Sequence, residues 1–136
     1  MSTKTIYTAH VHTVGGREGA AKSSDGELDV QLSTPGSNRP GTNPEQLFAA
    51  GWSACFEGAL GLAARTRGIA LPPELSIAAE VDLRRGDTGY SLAARLKVDV
   101  PGVDRKVAQA LLDEAHETCP YSKATRGNID VEISLL

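Results

Sequence analysis

The sequence predicts an α+β fold in a single domain spanning residues 1–136. Three observations carry that reading. Runs of alternating polarity open and close the chain, at 6–14 and 129–135. Two long apolar helical patterns lie between them, at 44–67 and from Asp104 to just before Pro120. A pair of alternating runs, 75–83 and 90–100, sits between the helices. The order is therefore βββ-α-ββ-α-β.

Each element has a local cause. Ile6, Thr8, His10, His12 and Val14 face one way and Tyr7, Ala9, Val11 and Thr13 the other, which reads as a strand over 6–14. Gly15-Gly16-Arg17-Glu18-Gly19 and Ser23-Ser24-Asp25-Gly26 are turn signals. Short strands at 20–22 and 28–32 complete an antiparallel meander, and 34–43 is an irregular loop. Asn43 suits the N-cap of the first helix, Pro44 its first position, and Gln46 the position that reaches back to the cap. That helix is expected to run to Arg67 and stop at Gly68. Pro72-Pro73 bars more helix, and a hairpin follows with its turn at Arg85-Gly86-Asp87. Asp104 caps the second helix, whose buried face is Val107, Ala108, Leu111, Leu112 and Ala115.

Composition narrows the function. A net charge of −3 argues against a nucleic-acid partner, whose binders carry a basic footprint, and 4% aromatics leave no base-stacking platform. The stretch from Leu47 to Ala64 approaches membrane-spanning length, but it contains Glu57 and much Gly and Ala. It reads as a buried helix. No signal-peptide pattern follows Met1, so the cytoplasm is the expected compartment, where cysteines are more often reduced or catalytic than structural.

Cys55 and Cys119 are the only cysteines, on separate elements. That arrangement suits a redox pair in which one sulfur attacks and the other resolves. The competing reading is two inert buried thiols. Thiolate chemistry needs a pKa well below the ordinary ~8.5, hence a nearby cation. Cys119 ends a helix, where the dipole disfavours a thiolate, and Cys55 is mid-helix, where it helps little. Arg17, in its glycine-flanked turn, is one candidate cation; Arg39, Arg65, Arg67 and Arg126 are the others. Glu45 lies ten residues before Cys55, ~15 Å along a straight helix. To serve Cys55 it needs a bend or an antiparallel partner subunit; otherwise it is a favourable acid in a first helical turn.

The same helix carries Ala50, Ala54, Gly58 and Leu62 in one row, with Gly51, Cys55, Gly58 and Gly61 beside it. Glycine in a helix costs roughly 0.5–1 kcal/mol against alanine, so close approach by another element is expected. That element is either the chain's own sheet or a twin helix in a homodimer. His10 and His12 lack a third ligand and read as surface residues rather than a metal site. His116, three residues before Cys119, is compatible with a Cys–His pair but unspecific.

The cysteine segments resemble the organic hydroperoxide resistance (Ohr) family of the OsmC-like superfamily. The matching stretches are Gly15–Gly19, Asp25–Val30, Thr42–Leu60 and Cys119–Val131, nearly the whole chain. Thr-Asn-Pro-Glu-Gln-Leu-Phe-Ala-Ala-Gly and Cys-Pro-Tyr-Ser-Lys-Ala-Thr-Arg-Gly-Asn-Ile-Asp-Val are too long for chance. The resemblance implies an OsmC-like fold: two antiparallel sheets wrapped around long central helices in an intertwined homodimer. It implies a thiol-dependent peroxidase for alkyl and fatty-acid hydroperoxides. Carried over, Cys55 is the reactive cysteine and Cys119 the resolving one, and Arg17 and Glu45 hold the site. Dihydrolipoyl groups on lipoylated proteins are the implied reductant, with no bound cofactor or metal. The run 35–41 stands where a more glycine-rich loop is expected, and Trp52 where a tyrosine is. Two other readings use the same residues: a redox sensor signalling through the disulfide, and a binding protein for hydrophobic small molecules.

Overall fold

The N-terminal meander forms as read, but its first strand is short. In the computed structural model, which describes residues 2–136, β1 is Val11–Val14, β2 Ala20–Ser23 and β3 Asp29–Gln31. The strands pair antiparallel in the order β1-β2-β3. Residues 6–10 alternate in sequence yet are not strand: the His10 carbonyl still accepts from the Ser24 N–H at 2.9 Å, but β2 ends at Ser23 and the Ser23–Gly26 turn carries the neighbouring chain away. Asp25 holds that turn by accepting from the Ser23 hydroxyl at 2.6 Å and the Glu27 N–H at 3.0 Å. Leu32 bridges to Thr42, closing the loop between them. This first unit extends to Leu47, and its hydrophobic side chains are mostly exposed: only Ala21 and Leu32 are buried.

Helix α1, Pro44–Thr66, starts and stops where its caps dictate. The Gln46 N–H donates to Asn43 Oδ1 at 2.9 Å. The Gln46 side chain does not reach back to the cap backbone; its Oε1 accepts from Thr42 Oγ1 at 2.6 Å. At the far end the Gly68 N–H donates to the Arg65 carbonyl and the Ile69 N–H to the Ala64 carbonyl, with Gly68 at φ +68°. That is the Schellman closure a glycine permits.

The second unit runs from Phe48 to Leu136. Its sheet contains β4 (Ser76–Gly86), β5 (Gly89–Asp99) and β6 (Asp130–Leu135) in that order. The hairpin turn is Asp87-Thr88, one step beyond the expected Arg85-Gly86-Asp87, because Arg84, Arg85 and Gly86 all keep partners on β5. The pairing of β6 corrects the purely antiparallel expectation: it lies parallel to β5. The reason is the connection, since β5 leads through helices before β6 returns to the same sheet, and only such a crossover joins parallel neighbours.

Helix α2, Arg105–Thr118, is capped by Asp104, which accepts from the Val107 N–H at 3.3 Å. A short third helix, α3 (Pro120–Thr125), is absent from the sequence reading. Pro120 ends α2 but also occupies the first position of α3, a place where its missing N–H costs nothing. One core joins Trp52, Phe56 and Leu60 of α1 with Leu96 and Val98 of β5 and Leu111 and Leu112 of α2. Each is fully or almost fully buried, at roughly 1.5–3 kcal/mol of transfer free energy for a side chain of this size.

Candidate active site

The glycines of the 15–19 turn exist to make it tight. Gly15 and Gly16 sit at φ +81° and +57°, and a Cβ on Gly19 would run into the Val14 carbonyl oxygen. Gly16–Glu18 winds into a single 3₁₀ turn that presents Arg17. Its guanidinium meets Glu45 fork to fork, Nη1 to Oε1 at 3.0 Å and Nη2 to Oε2 at 3.1 Å. The neighbour Glu18 faces the following loop: it accepts from the Thr34 N–H at 3.1 Å, and its carbonyl accepts from Arg39 Nη2 at 3.0 Å. The sequence reading passed over Glu18, whose one signal was its place beside Arg17.

The second unit brings the two cysteines together. Cys119 Sγ lies 3.6 Å from Cys55 Sγ, a thiol–thiol contact between free cysteines. Cys119 is fully buried and Cys55 partly so. The Cys55 pKa is raised, first by burial, then by the hydrogen bond and charge of Cys119; the backbone N–H of Tyr121 acts the other way. Tyr121 can do this because it is the second residue of α3, where N–H groups have no partner inside the helix. Cys119 is therefore both the last cap of α2 and the first of α3, and not simply the end of a helix. Gly51 admits Tyr121 beside it: a Cβ there would lie 3.0 Å from the tyrosine hydroxyl.

Three comparisons bear on this pair of cysteines and this pair of charges. The family model described as OsmC-like protein matches residues 34–134. An organic hydroperoxide resistance protein of Xanthomonas axonopodis pv. citri (strain 306) is 50% identical, covering 97% of this chain and 96% of its own. The chain belongs to the organic hydroperoxide resistance family of OsmC-like proteins. OhrA of Bacillus subtilis (strain 168) is 44% identical, with 96% of both chains covered. The crystal structure of OhrB of Bacillus subtilis superposes with a TM-score of 0.91 at 43% identity, covering 97% of this chain and 100% of that one.

Within this organic hydroperoxide resistance chain three of the four other candidate cations, Arg39, Arg67 and Arg126, have their own partners. Arg39 serves Glu18, Arg67 binds Glu114 at 2.9 Å, and Arg126 Nη1 donates to the His116 carbonyl at 2.6 Å. The His116 pKa is lowered by burial and then by Arg126, and its Nδ1 is buried without a hydrogen-bond partner. His10 and His12 are exposed, with His10 outside β1. Among the described residues no group of three or more His, Cys, Asp or Glu gathers as a metal site.

Proposed function

We propose that this protein is a cytoplasmic thiol peroxidase that reduces organic hydroperoxides, acting as a homodimer. One observation carries the reading: the 3.6 Å approach of Cys55 and Cys119 in a chain of the organic hydroperoxide resistance family. The Cys55 thiolate attacks the distal oxygen of ROOH, the O–O bond breaks, and the alkoxide takes a proton to leave as ROH. Cys55 is then a sulfenic acid. The Cys119 thiol condenses with it, losing water and forming the disulfide. A dithiol of the dihydrolipoyl type returns both thiols by exchange and leaves as its own cyclic disulfide.

Burial raises the Cys55 pKa, so the reaction needs a cation to favour the thiolate. Arg17 fills that role in this reading and also stabilises the negative charge that develops on the leaving oxygen. Glu45 fixes its orientation through the two-bond fork. No metal or bound organic cofactor takes part.

The dimer is supported by what a single chain leaves uncovered. Ala50, Ala54, Gly58 and Leu62, one row of α1, are all exposed, and nothing lies within 4 Å of a Cβ placed on Gly58 or Gly61. Val11 and Val14 of β1 are 50% and 64% exposed. By length and composition α1 would also cross a membrane, at mean hydropathy 1.3. Burial of its Trp52, Phe56 and Leu60 in the core favours a twin helix over lipid as the cover for the opposite row. Both compact units are read as one domain, since the family match at 34–134 runs through their boundary.

Consumption of an alkyl hydroperoxide with dihydrolipoamide tests the whole scheme. Wild type turns over, Cys55→Ser does not react, and Cys119→Ser consumes one equivalent and stalls. Full steady-state turnover by Cys55→Ser would end the proposal.

A further inference from the structure

A second tie runs beside the cysteines. Trp52 lies three residues before Cys55 on α1, and Ser122 three residues after Cys119 on α3. The indole N–H donates to the Ser122 hydroxyl at 3.3 Å, and both residues are 0% exposed. An indole nitrogen is a donor only, and leaving a buried donor without a partner is costly, so this hydroxyl is the acceptor the buried indole needs. Apolar contacts flank it. Phe48 packs edge-on to Trp52 with ring centroids 5.6 Å apart, and tilted to Tyr121 at 6.1 Å.

We propose that Trp52 and Ser122 are positioning residues for the cysteine pair, their buried hydrogen bond holding α3, and with it Cys119, within reach of Cys55. The inference rests on the peroxidase reading above. Among the described residues this is the one side-chain hydrogen bond between α1 and α3 that does not involve a sulfur. A helix of six residues has little stability of its own, so its place depends on such anchors. The resolving step shows why the anchor matters. Cys55–SOH and Cys119–SH form one S–S bond of ~2.05 Å and release water, so sulfurs now 3.6 Å apart must close by a further ~1.5 Å. With α3 tied to α1 only a small movement is needed. With the tie cut, Cys119 samples wider positions and meets the sulfenic acid less often.

Trp52 is the only tryptophan in the chain, so its fluorescence reads the tie directly. The full-length reduced protein is mixed with one equivalent of an alkyl hydroperoxide, and disulfide formation is timed by acid quench and thiol counting. In parallel, with no peroxide, the disulfide is equilibrated against dithiothreitol. Ser122→Ala removes the acceptor at little cost in volume. It is expected to slow disulfide formation roughly tenfold, the effect of losing about 1.4 kcal/mol, and to shift the dithiothreitol equilibrium toward the dithiol. The Trp52 emission maximum moves in the same variant. Trp52→Phe has the same effect on the disulfide, and the double variant is no worse than Trp52→Phe alone, because both remove one bond. A wild type that forms the disulfide while Ser122→Ala matches it in rate and equilibrium overturns the tie. A wild type that forms no disulfide at all overturns the peroxidase reading, and the role of the tie falls with it.

Discussion

Arg17 and Glu45, 28 residues apart in sequence, share two parallel hydrogen bonds of 3.0 and 3.1 Å. The arginine side chain is 44% exposed and the glutamate 12%. At that exposure an ion pair contributes ~1 kcal/mol or less to stability, so its use lies in geometry: the fork fixes the plane of the guanidinium.

If that plane serves Cys55, Arg17→Ala raises the thiol pKa and slows peroxide attack. Each tenfold loss of thiolate corresponds to about 1.36 kcal/mol. Arg17→Lys recovers only part, because an ammonium cannot pair bidentately. Glu45→Ala loses less than Arg17→Ala, since the cation remains but is no longer oriented. Thiolate absorbance titrated against pH in each variant is the direct check. Titration curves and rates unchanged in Arg17→Ala would remove Arg17 from the mechanism.

Gly58 offers a test of the dimer whose sign differs between the two outcomes. In one chain a side chain at this position meets nothing. Were the face open to water, Gly58→Leu would stabilise the helix by roughly 0.8–1 kcal/mol. Under a twin helix the same leucine overpacks the interface at about 1–3 kcal/mol and loosens the dimer. Analytical ultracentrifugation of wild type and variant, with thermal melts, separates the cases. A wild type that is monomeric at micromolar concentration would refute the dimer.

Ala54, Phe56 and Ala59 stand close to Cys55 in the largely apolar sequence of α1, so a substrate reaching the sulfur is expected to gain from a hydrocarbon tail. Burying a methylene contributes about 0.8 kcal/mol, so three or four give about a hundredfold in kcat/KM over hydrogen peroxide. A steady-state comparison of a fatty-acid hydroperoxide with hydrogen peroxide decides it. Equal values would show that the tail is not recognised.

Acid should weaken the second sheet through Arg95. Its guanidinium pairs with Asp82 at 2.7 and 2.9 Å and with Glu80 at 2.6 Å. These hydrogen bonds from Arg95 are the first cause holding both carboxyl pKa values below their ordinary 3.8 and 4.5. A lowered folded-state pKa means stability present above the ordinary value and lost as pH falls through the lowered one. Arg95→Ala is therefore expected to lower the melting temperature at pH 6. The difference from wild type shrinks as the pH drops below about 4, where the carboxyl groups of the unfolded chain are already protonated. A difference that stays constant down to pH 2 would assign the effect to lost packing instead.

How legible each feature was depended on how local its cause is. The limits of α1 follow from Asn43, Pro44 and Gly68, and the start of α2 from Asp104; all four act within one helical turn. The Arg17 turn was visible because its glycines do local work. Of the strand read over 6–14 only 11–14 forms, because alternation marks a chain able to pair and not the presence of a partner. Helix α3 is not legible in the sequence because Pro120 reads as a stop to α2 while it also starts α3.

By itself the sequence determined the α+β class, the helix caps, the turns, and the motifs that mark the organic hydroperoxide resistance family. These are written in residues within a few positions of one another, where backbone sterics and capping bonds decide. Tertiary structure alone decided that β6 lies parallel to β5 and that Trp52 finds Ser122 seventy residues on. It also decided that the row Ala50, Ala54, Gly58, Leu62 faces outward while Trp52, Phe56 and Leu60 face the core. Such pairings are selected by which packing of the whole chain buries most apolar surface and leaves fewest donors unpaired. No local stretch of residues holds that information.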